Sequence, residues 1–339
     1  MKLFGKNLDT EVAIVAEIGV NHEGNVDTAS RLIRLAAEAG ADAVKFQSYS
    51  PERFVTTNDT ERYSRVKAFC LSQQEHEQLA LEASSLGVQF FSTAVTEDMV
   101  QFLSDLCGVI KIASGDLTFK PVIVESAQTG KPLILSTGLG TVEEIDRSVG
   151  WIEDTIGASD DLRERLILLH CVSSYPTPLD QVNTLSIPYL VERYGVRVGY
   201  SHHALEIEPC LAAVTLGACV IETHFTDQKN DREFRDHALS LEPDQLADLV
   251  SSISAIQASL GSPVKERQEC ELPNLDLVRK GIIAARDLSP GTVVSNDDVM
   301  YARPATEFSA DEISDVIGKT LIVKLKKGQL VPRSGIKYA

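Results

Sequence analysis

Residues 12–47, VAIVAEIGVNHEGNVDTASRLIRLAAEAGADAVKFQ, contain a complete strand–helix–strand unit. The apolar, β-branched run at 12–18 predicts a buried strand, and a second run at 43–47 predicts another. Between them, Asp27–Ala39 has apolar residues at helical spacing and is followed by Gly40, a residue typical of helix ends. This stretch therefore predicts two strands joined by a crossover helix.

The same alternation continues along the chain as far as Gly261. Further strand-like runs lie at 88–93, 109–113, 132–137, 166–172, 196–201 and 219–225. Each is followed by a segment long enough for a helix or a crossover. Eight such units predict an α/β fold of the (β/α)8 TIM-barrel type, because a doubly wound sheet more often has five or six strands. We place this barrel domain at residues 1–262.

The pattern changes beyond the barrel domain. Residues 263–279 are polar, include two prolines and show no sustained period, which predicts a linker. Residues 280–339 contain short strand-like runs (GIIAA and LIVKL), turn signals and a predicted helical turn near Ala310–Val316. We expect a small β-rich domain there, marginally stable alone and docked on another part of the protein.

Composition excludes several classes of protein. The chain has 339 residues, 43% hydrophobic and 24% charged, as in ordinary globular proteins. Its net charge of −17 argues against generic binding to nucleic acid or to a membrane surface. Without a membrane-length apolar run or a secretory signal, we expect a cytoplasmic protein. Its six irregularly spaced cysteines form no Cys-x-x-Cys pair and predict reduced core thiols.

Polar and ionisable residues lie at the end of every predicted strand. In a TIM barrel these ends form the active site, so their convergence favours catalysis. Each alone also has a structural explanation, such as a helix-capping serine or a hydrogen-bonded core histidine. In chain order, the set includes Glu17, Lys45, Gln47, Thr93, Lys111, Ser114, Ser136, His170, Ser173, Tyr175, Ser201, His202, His203 and His224.

The residue types in this set predict a particular chemistry. Its two lysines suit a phosphate or carboxylate ligand. His203 and His224 end adjacent strands and predict an open Mn, Fe or Zn site, although two ligands do not identify the metal. Glu17 and Asp236 are candidates for further metal ligands or for proton transfer. Together they predict metal-assisted chemistry on an anionic substrate.

A series of motifs surrounds these residues. It comprises AEIGVNHEG at 16–24, KFQ at 45–47, KIASGDLT at 111–118, LSTG at 135–138, LHC at 169–171, YPTP at 175–178, GYS at 199–201 and ETHFT at 222–226. The ordered series resembles the sialic acid synthase family. Near the C-terminus, Arg303-Pro304 and Ile317-Gly318-Lys319 resemble the antifreeze-like (SAF) domain that this family carries. The resemblance covers nearly the whole chain.

The resemblance implies a reaction of phosphoenolpyruvate with an N-acylated amino-hexose aldehyde, such as N-acetylmannosamine, and water. The products are a nine-carbon 2-keto sugar acid and phosphate. It also implies a divalent metal, Mn²⁺ or Mg²⁺, which is bound by His203 and His224 and polarises the aldehyde. A domain-swapped homodimer is implied as well, in which Arg303 reaches the active site of the other subunit.

The resemblance further implies roles for individual residues. Glu17 matches a proton-handling carboxylate, and Tyr175 and Asp236 match acceptor-side positions. We also assign Gln47 and Ser173 to substrate binding. The positions that bind phosphoenolpyruvate in the family match Lys45, Thr93, Lys111, Ser114, Ser136 and Ser201.

The departures from the family pattern cluster on the acceptor side. GYSHHA at 199–204 replaces GYSDHT, Thr223 replaces a lysine, and Phe234-Arg235 replaces Gly-Pro. In the SAF-like region, residues 305–307 replace Gly-x-Gly. A related hexose is therefore open as acceptor, leading to a legionaminic, pseudaminic or other ulosonic acid. A class II-like aldolase and a non-catalytic carbohydrate-binding protein are open as well, and neither would release phosphate from phosphoenolpyruvate.

Overall fold

The computed structural model describes residues 1–157 and 161–338. The chain divides into two compact units, Met1–Gly261 and Ser262–Ala339. The first unit begins with a short antiparallel hairpin of β1 (Lys2–Leu3) and β2 (Lys6–Asn7). Its eight following strands then close into a parallel barrel, which confirms the predicted TIM-barrel fold.

The barrel strands lie within two residues of their predicted bounds. Their order in the closed sheet follows the chain, and the last strand pairs with the first. They are β3 (Ala13–Gly19), β4 (Ala43–Ser48), β5 (Gln89–Ala94), β6 (Ile110–Ile112), β7 (Leu133–Ser136), β8 (Leu166–His170), β9 (Arg197–His202) and β10 (Val220–His224).

Helices connect the strands and cover the barrel. In the first of them, Asn25 accepts a hydrogen bond from the Thr28 backbone N–H and caps the start, and one face of the helix is buried against the barrel. The helices of this unit are α1 (Val26–Glu38), α2 (Pro51–Phe54), α3 (Thr60–Phe69), α4 (Gln73–Ser85), α5 (Val100–Leu106), α6 (Lys120–Gln128), α7 (Val142–Ile156), α8 (Leu162–Arg165), α9 (Ser186–Tyr194), α10 (Glu208–Thr215), α11 (Asp236–Leu239) and α12 (Pro243–Leu260).

The register of the barrel decides which polar side chains become neighbours. Nearly every strand residue is buried, because helices cover the outside of the barrel and side chains fill its interior. Inward-facing residues of adjacent strands therefore meet inside the barrel. The register places Glu17 beside Lys45 and beside His224, Thr93 beside Lys111, and Ser201 beside Glu222.

The second unit is built from small antiparallel pairs around its own core, which includes Phe308, Val316 and Leu321. Of the residues in the predicted LIVKL strand, only the first, Leu321, belongs to a strand. The predicted helical turn is a 3₁₀ helix at Ala310–Asp315. The strands and α-helix of this unit are α13 (Leu275–Val278), β11 (Gly281–Ala284), β12 (Val299–Ala302), β13 (Thr320–Leu321) and β14 (Ile336–Lys337).

The segment predicted as an irregular linker contains helical turns. A 3₁₀ helix at Glu269–Asn274 leads into α13. It begins where Gln268 and Glu271 form a reciprocal capping box. This is a local signal and does not appear as a periodic pattern of apolar residues.

Two composition-based expectations concern thiols and membranes. All six cysteines are free; four are buried as core thiols, whereas Cys70 is half-buried and Cys270 is exposed, unlike the predicted core thiols. Among the helices of residues 1–157 and 161–338, none has both the length and the apolar character needed to cross a membrane.

Candidate active site

A cavity of about 960 Å³ opens at the carboxyl ends of the barrel strands. Apart from His170 and His202, every site residue that the sequence predicted in the first unit lines this cavity: Glu17, Lys45, Gln47, Thr93, Lys111, Ser114, Ser136, Ser173, Tyr175, Ser201, His203, His224 and Asp236. Arg303 belongs to the second unit, where it follows β12 and is exposed. The structure thus brings predicted residues of all eight strands together.

A buried lysine lies between two buried carboxylates on the cavity wall. The Lys45 Nζ is 3.3 Å from Oε2 of Glu17 and 3.0 Å from Oε1 of Glu222. The Ser201 hydroxyl donates a hydrogen bond of 2.9 Å to the same oxygen of Glu222. Burial opposes the charge on Lys45, but the two carboxylates outweigh it and raise the pKa of the lysine. Lys45 is therefore a permanent cation.

The two carboxylates beside this lysine differ in proton affinity. Burial raises the pKa of Glu17 to about 7, against the opposing effect of the Lys45 ammonium beside its Oε2 atom. Burial acts on Glu222 as well, but Lys45 and Lys111 outweigh it and lower the pKa of Glu222 to about 2. Because of this difference in pKa, Glu17 can exchange a proton near neutral pH, whereas Glu222 stays an anion.

A second lysine faces a wall of hydroxyl groups. The Lys111 ammonium donates hydrogen bonds to the Ser136 hydroxyl (2.6 Å) and to the Ile112 carbonyl (3.1 Å). Burial, and then the charge of Lys45, lower the pKa of Lys111 to about 8. Nearby, the Ser114 hydroxyl accepts a hydrogen bond of 3.1 Å from the Gly138 backbone N–H. Ammonium, hydroxyl and backbone N–H groups of this kind can bind a phosphate or carboxylate.

The backbone at Gly138 approaches this wall so closely that no side chain fits. A Cβ atom there would lie 2.7 Å from Oγ of Ser114 and 3.0 Å from Sγ of Cys171. The glycine thus lets its own N–H reach the Ser114 hydroxyl at the cavity surface. A side chain at position 138 would therefore displace Ser114, which lines the cavity.

Two histidines face each other on the opposite wall. The ring centroids of His203 and His224 are 5.5 Å apart, and the Tyr175 ring lies 4.2 Å from that of His203. Nδ1 of His203 lies 2.8 Å from the Val172 carbonyl, and its Nε2 atom lies 3.5 Å from the Ser201 hydroxyl. Burial lowers the pKa of both histidines to about 3. Both are therefore neutral at pH 7, the form that binds metal ions.

The third wall combines charged and aromatic groups. Burial raises the pKa of Asp236 at the start of α11, and Nε of Arg235 is 3.3 Å from its Oδ1 atom. The Arg235 guanidinium lies over the Tyr175 ring, 5.6 Å from its centroid. Phe69 of α3 meets Phe234 edge to face at 5.4 Å. This wall is therefore suited to a larger, partly apolar and hydrogen-bonding substrate group.

The set of site residues predicted from the sequence left out several lining residues. Glu222 could have been added from strand alternation, because it precedes His224 by two positions and so shares its face. The others come from the β3–α1 loop, from α2 and α3, and from the loop before α11, which carry no strand-end signal. They include Glu23, Phe54, Arg62, Arg65, Phe69, Glu233, Phe234 and Arg235.

Two strand-end histidines, neither of them assigned a role from the sequence, are not among the residues that line the cavity. Nδ1 of His202 lies 3.3 Å from the Tyr200 hydroxyl, and Nε2 of His170 lies 2.8 Å from the Val182 carbonyl. The rings of His170 and Tyr200 stack at 6.0 Å. Because side chains alternate along β9, His202 faces away from the side occupied by Ser201. Both histidines belong to the packing around the barrel.

Comparison with known proteins identifies the family. The sequence pattern of the NeuB family matches residues 32–265, and that of the SAF domain matches residues 279–337. The chain belongs to the NeuB family. The C-terminal unit of this NeuB protein is a SAF domain, as the resemblance implied.

Named relatives of this NeuB protein are synthases of sialic acid type. It is 37% identical to N,N'-diacetyllegionaminic acid synthase of Legionella pneumophila, covering 93% of this chain and 92% of that protein. It is 30% identical to human N-acetylneuraminate-9-phosphate synthase, covering 94% and 90%. A crystal structure of N-acetylneuraminic acid synthetase from Leptospira borgpetersenii, in complex with citrate, superposes with a TM-score of 0.72 at 33% identity, covering 78% and 90%.

The histidine pair of this NeuB protein fits a divalent metal with two protein ligands. Both imidazoles are neutral, and the contact of His203 Nδ1 with the Val172 carbonyl is of the kind that orients metal-binding histidines. Within residues 1–157 and 161–338, no group of three or more His, Cys, Asp or Glu residues is arranged to hold a metal ion. Water and substrate oxygens would therefore complete the coordination.

Proposed function

We propose that this NeuB protein condenses phosphoenolpyruvate with an N-acylated amino-hexose and water, giving a nine-carbon 2-keto sugar acid and phosphate. One observation carries the proposal: two buried lysines and a pair of neutral histidines line the same cavity. Such a cavity has one wall for an anionic substrate and another for a metal that acts on a carbonyl oxygen. The names of the relatives support the same reaction class.

Phosphoenolpyruvate carries a phosphate and a carboxylate, which match the two lysines. Lys45 and Lys111 bind these groups through charge-assisted hydrogen bonds, which are strong in a partly dry site. Glu222 keeps the Lys45 ammonium charged and in place, at 3.0 Å. The hydroxyl groups that complete the anion site are those of Thr93, Ser114, Ser136 and Ser201.

The acceptor lies on the histidine side of the cavity. A divalent ion, Mn²⁺ or Mg²⁺, held by His203 and His224 would supply Lewis-acid polarisation of the acceptor carbonyl, and imidazole ligands favour Mn²⁺ over Mg²⁺. Glu17 takes up or releases a proton, because its pKa of about 7 lets both forms exist at neutral pH. Gln47 orients this carboxyl, with its Nε2 atom 3.5 Å from Oε1 of Glu17.

The names of the relatives support two acceptor classes as candidates. Tyr175, Asp236 and Ser173 bind an N-acylated hexose of the N-acetylmannosamine type. A diacetamido hexose of the legionaminic type is the second candidate, because the identity to N,N'-diacetyllegionaminic acid synthases reaches 37% and 35%. The aromatic ring of Phe234 adds apolar surface to this wall, which suits an acceptor with a further acyl group.

The experiment that tests the proposed function is a screen of amino-hexoses with phosphoenolpyruvate and Mn²⁺. Release of inorganic phosphate that depends on both substrates, with a nine-carbon keto acid detected by mass spectrometry, is the expected result. An aldolase would convert a sugar without consuming phosphoenolpyruvate, and a carbohydrate-binding protein would release no phosphate. Either result would contradict the proposal.

The proposal includes a domain-swapped homodimer in which Arg303 contacts the acceptor bound to the other subunit. It is supported by the resemblance of the SAF domain and by the exposure of Arg303. A guanidinium group can bind sugar hydroxyl or carbonyl oxygens without a deep pocket. Mixing the inactive variants Arg303→Ala and His203→Ala should restore one working site in each heterodimer. Heterodimers without activity would show that Arg303 does not act across subunits.

A further inference from the structure

A chain of three polar side chains leads from the barrel wall to the cavity and ends at Glu23. His237 is 1% exposed, and its Nδ1 atom lies 2.7 Å from the Thr226 hydroxyl. Its Nε2 atom lies 3.1 Å from Oε1 of Glu23. The Thr226 hydroxyl also lies 3.0 Å from the Gln228 carbonyl, so the proton position follows from the other end of the chain: a carboxylate can only accept, and His237 therefore donates to Glu23 from Nε2. Thr226 and His237 therefore hold the Glu23 carboxylate from behind.

A second contact fixes the same oxygen of Glu23. Nη1 of Arg232 lies 3.5 Å from Oε1, and the Arg232 guanidinium is itself held by Asp227 through two contacts of 2.8 Å. Glu23 also adopts a positive φ angle of 52°, which is uncommon for a residue with a side chain. The surroundings thus impose both the backbone conformation and the orientation of one carboxylate oxygen.

The second carboxylate oxygen of Glu23 is left for a ligand. Glu23 lines the cavity, and its side chain is 34% exposed, whereas the histidine behind it is buried. Both contacts described above use Oε1, so Oε2 remains a strong hydrogen-bond acceptor. An ionised carboxylate accepts hydrogen bonds and cannot donate them, so its ligand must offer an N–H or an O–H group.

We propose that Glu23 is a specificity-determining residue that accepts a hydrogen bond from an N–H or O–H group of the acceptor sugar. Thr226, His237 and Arg232 are its positioning residues. The inference rests on the proposed function. It adds that the acceptor carries a substituent with an N–H or O–H group, which binds away from the lysines that bind the anionic substrate. Glu23 shares its part of the cavity with Phe234, whose ring meets that of His237 edge to face at 6.3 Å.

The test compares the wild type with Glu23→Gln in steady-state kinetics. The two donors behind residue 23 hold the oxygen of the glutamine amide, so its NH2 group faces the acceptor and the hydrogen bond to a charged group is lost; the KM for the acceptor should rise by about 10- to 100-fold. The kcat and the KM for phosphoenolpyruvate should stay within about twofold, because the contact is uniform in ground and transition states. Glu82→Gln is the matched control, since Glu82 is likewise held by a hydroxyl (Ser30, 2.6 Å) and an arginine (Arg34, 3.4 Å) but does not line the cavity.

Deoxy analogues of the acceptor, each lacking one hydroxyl or acylamino group, identify the donor. The analogue that lacks the group bound by Glu23 should give the same KM with the wild type and with Glu23→Gln, and it shows whether the donor is N–H or O–H. An unchanged acceptor KM in Glu23→Gln, or an equal rise for every analogue, would overturn the inference. Wild-type protein that releases no phosphate with any acceptor would instead overturn the proposed function, and this inference with it.

The positioning residues are tested by a graded pair of variants. His237→Gln keeps an N–H donor, whereas His237→Leu has none, so the acceptor KM should rise more with leucine. Thr226→Val, a smaller change, serves if the leucine variant does not fold by circular dichroism. An acceptor KM that stays at the wild-type value in the folded variants would show that this network does not position Glu23.

Discussion

The two ends of the barrel carry the same arrangement of charges with opposite consequences. At the amino end, the Arg197 guanidinium lies 2.8 Å from Asp9 and 2.9 Å from Glu164, just as Lys45 lies between Glu17 and Glu222 at the carboxyl end. The cations are equally buried, but the Asp9 and Glu164 side chains are 38% and 50% exposed.

Solvent access to the carboxylates accounts for the difference. Hydrogen bonds from Arg197 lower the pKa of both Asp9 and Glu164, so both stay ionised. At the carboxyl end, both carboxylates are buried, and burial raises the pKa of Glu17 although the Lys45 ammonium lies 3.3 Å from its Oε2 atom. An ion cluster is structural where water and hydrogen bonds satisfy its members. It is reactive where burial shifts the pKa of one of them towards neutral pH beside a cavity.

The largest effect should come from replacing the cation of the carboxyl end. Lys45→Met removes a ligand of the anionic substrate and leaves Glu222 to repel it, so kcat/KM for phosphoenolpyruvate should fall by roughly 1,000-fold. Arg197→Met should leave kcat/KM within about twofold, because the amino end of a barrel serves stability. Phosphate release measures both. Equal losses of kcat/KM in the two variants would show that the two ends of the barrel do not differ in their contribution to activity.

The next effect concerns the histidines. His203→Ala should abolish bound Mn²⁺, measured by metal analysis after dialysis, and should lower activity by at least about 100-fold. His202→Ala is the matched control, since the neighbouring ring contacts the Tyr200 hydroxyl outside the cavity. Mn²⁺ that is retained in His203→Ala and lost in His202→Ala would show that the ligand assignment is wrong.

A smaller effect is expected on stability at the amino end. Arg197→Met should lower the free energy of unfolding by about 1–2 kcal/mol, because partly exposed ion pairs contribute little and their carboxylates regain water. Urea denaturation at pH 7 measures the change. A variant as stable as the wild type would show that the arginine cluster is not structural.

The smallest effect is a difference in pH dependence. The pKa of Glu17 rises from 4.5 to about 7 on folding, so its contribution to stability is complete below pH 4.5 and is lost as the pH approaches 7. Between pH 5 and 8, wild type should lose on the order of 1 kcal/mol more stability than Glu17→Gln, because Lys45 and Glu222 share the change. Urea denaturation at both pH values tests this.

The amino end should respond to pH in the opposite direction. The pKa values of Asp9 and Glu164 are lowered on folding, so their contribution is present at neutral pH and is lost only as the pH falls into the acid range. The matched variant Asp9→Asn should therefore show the wild-type slope between pH 5 and 8. If Glu17→Gln also shows the wild-type change of stability between pH 5 and 8, the Glu17 carboxyl of the wild type titrates near its ordinary value in the folded protein.

Strand positions and the identities of the strand-end residues were predictable because they depend on local pattern. The period of apolar residues located all eight barrel strands, and the polar residue that ends each run located Lys45, Lys111 and His203. The linker between 263 and 279 was harder to predict, because its helical turns rest on one capping box at Gln268 rather than on a period. A single capping pair is a weaker signal than the repeated spacing of apolar residues in a long helix.

Within the candidate site, the sequence by itself determined which residue types the barrel could present at its carboxyl end, since chain order and strand order coincide there. Only the tertiary structure decided which of them share a cavity: it turned His203 inward and His202 outward, added Glu23 and α3 to the wall, and gave Glu17 and Glu222 different proton affinities. The reason is physical. Side-chain alternation follows from the chain, but the inward-facing set, burial and the field of neighbouring charges exist only once the barrel has closed.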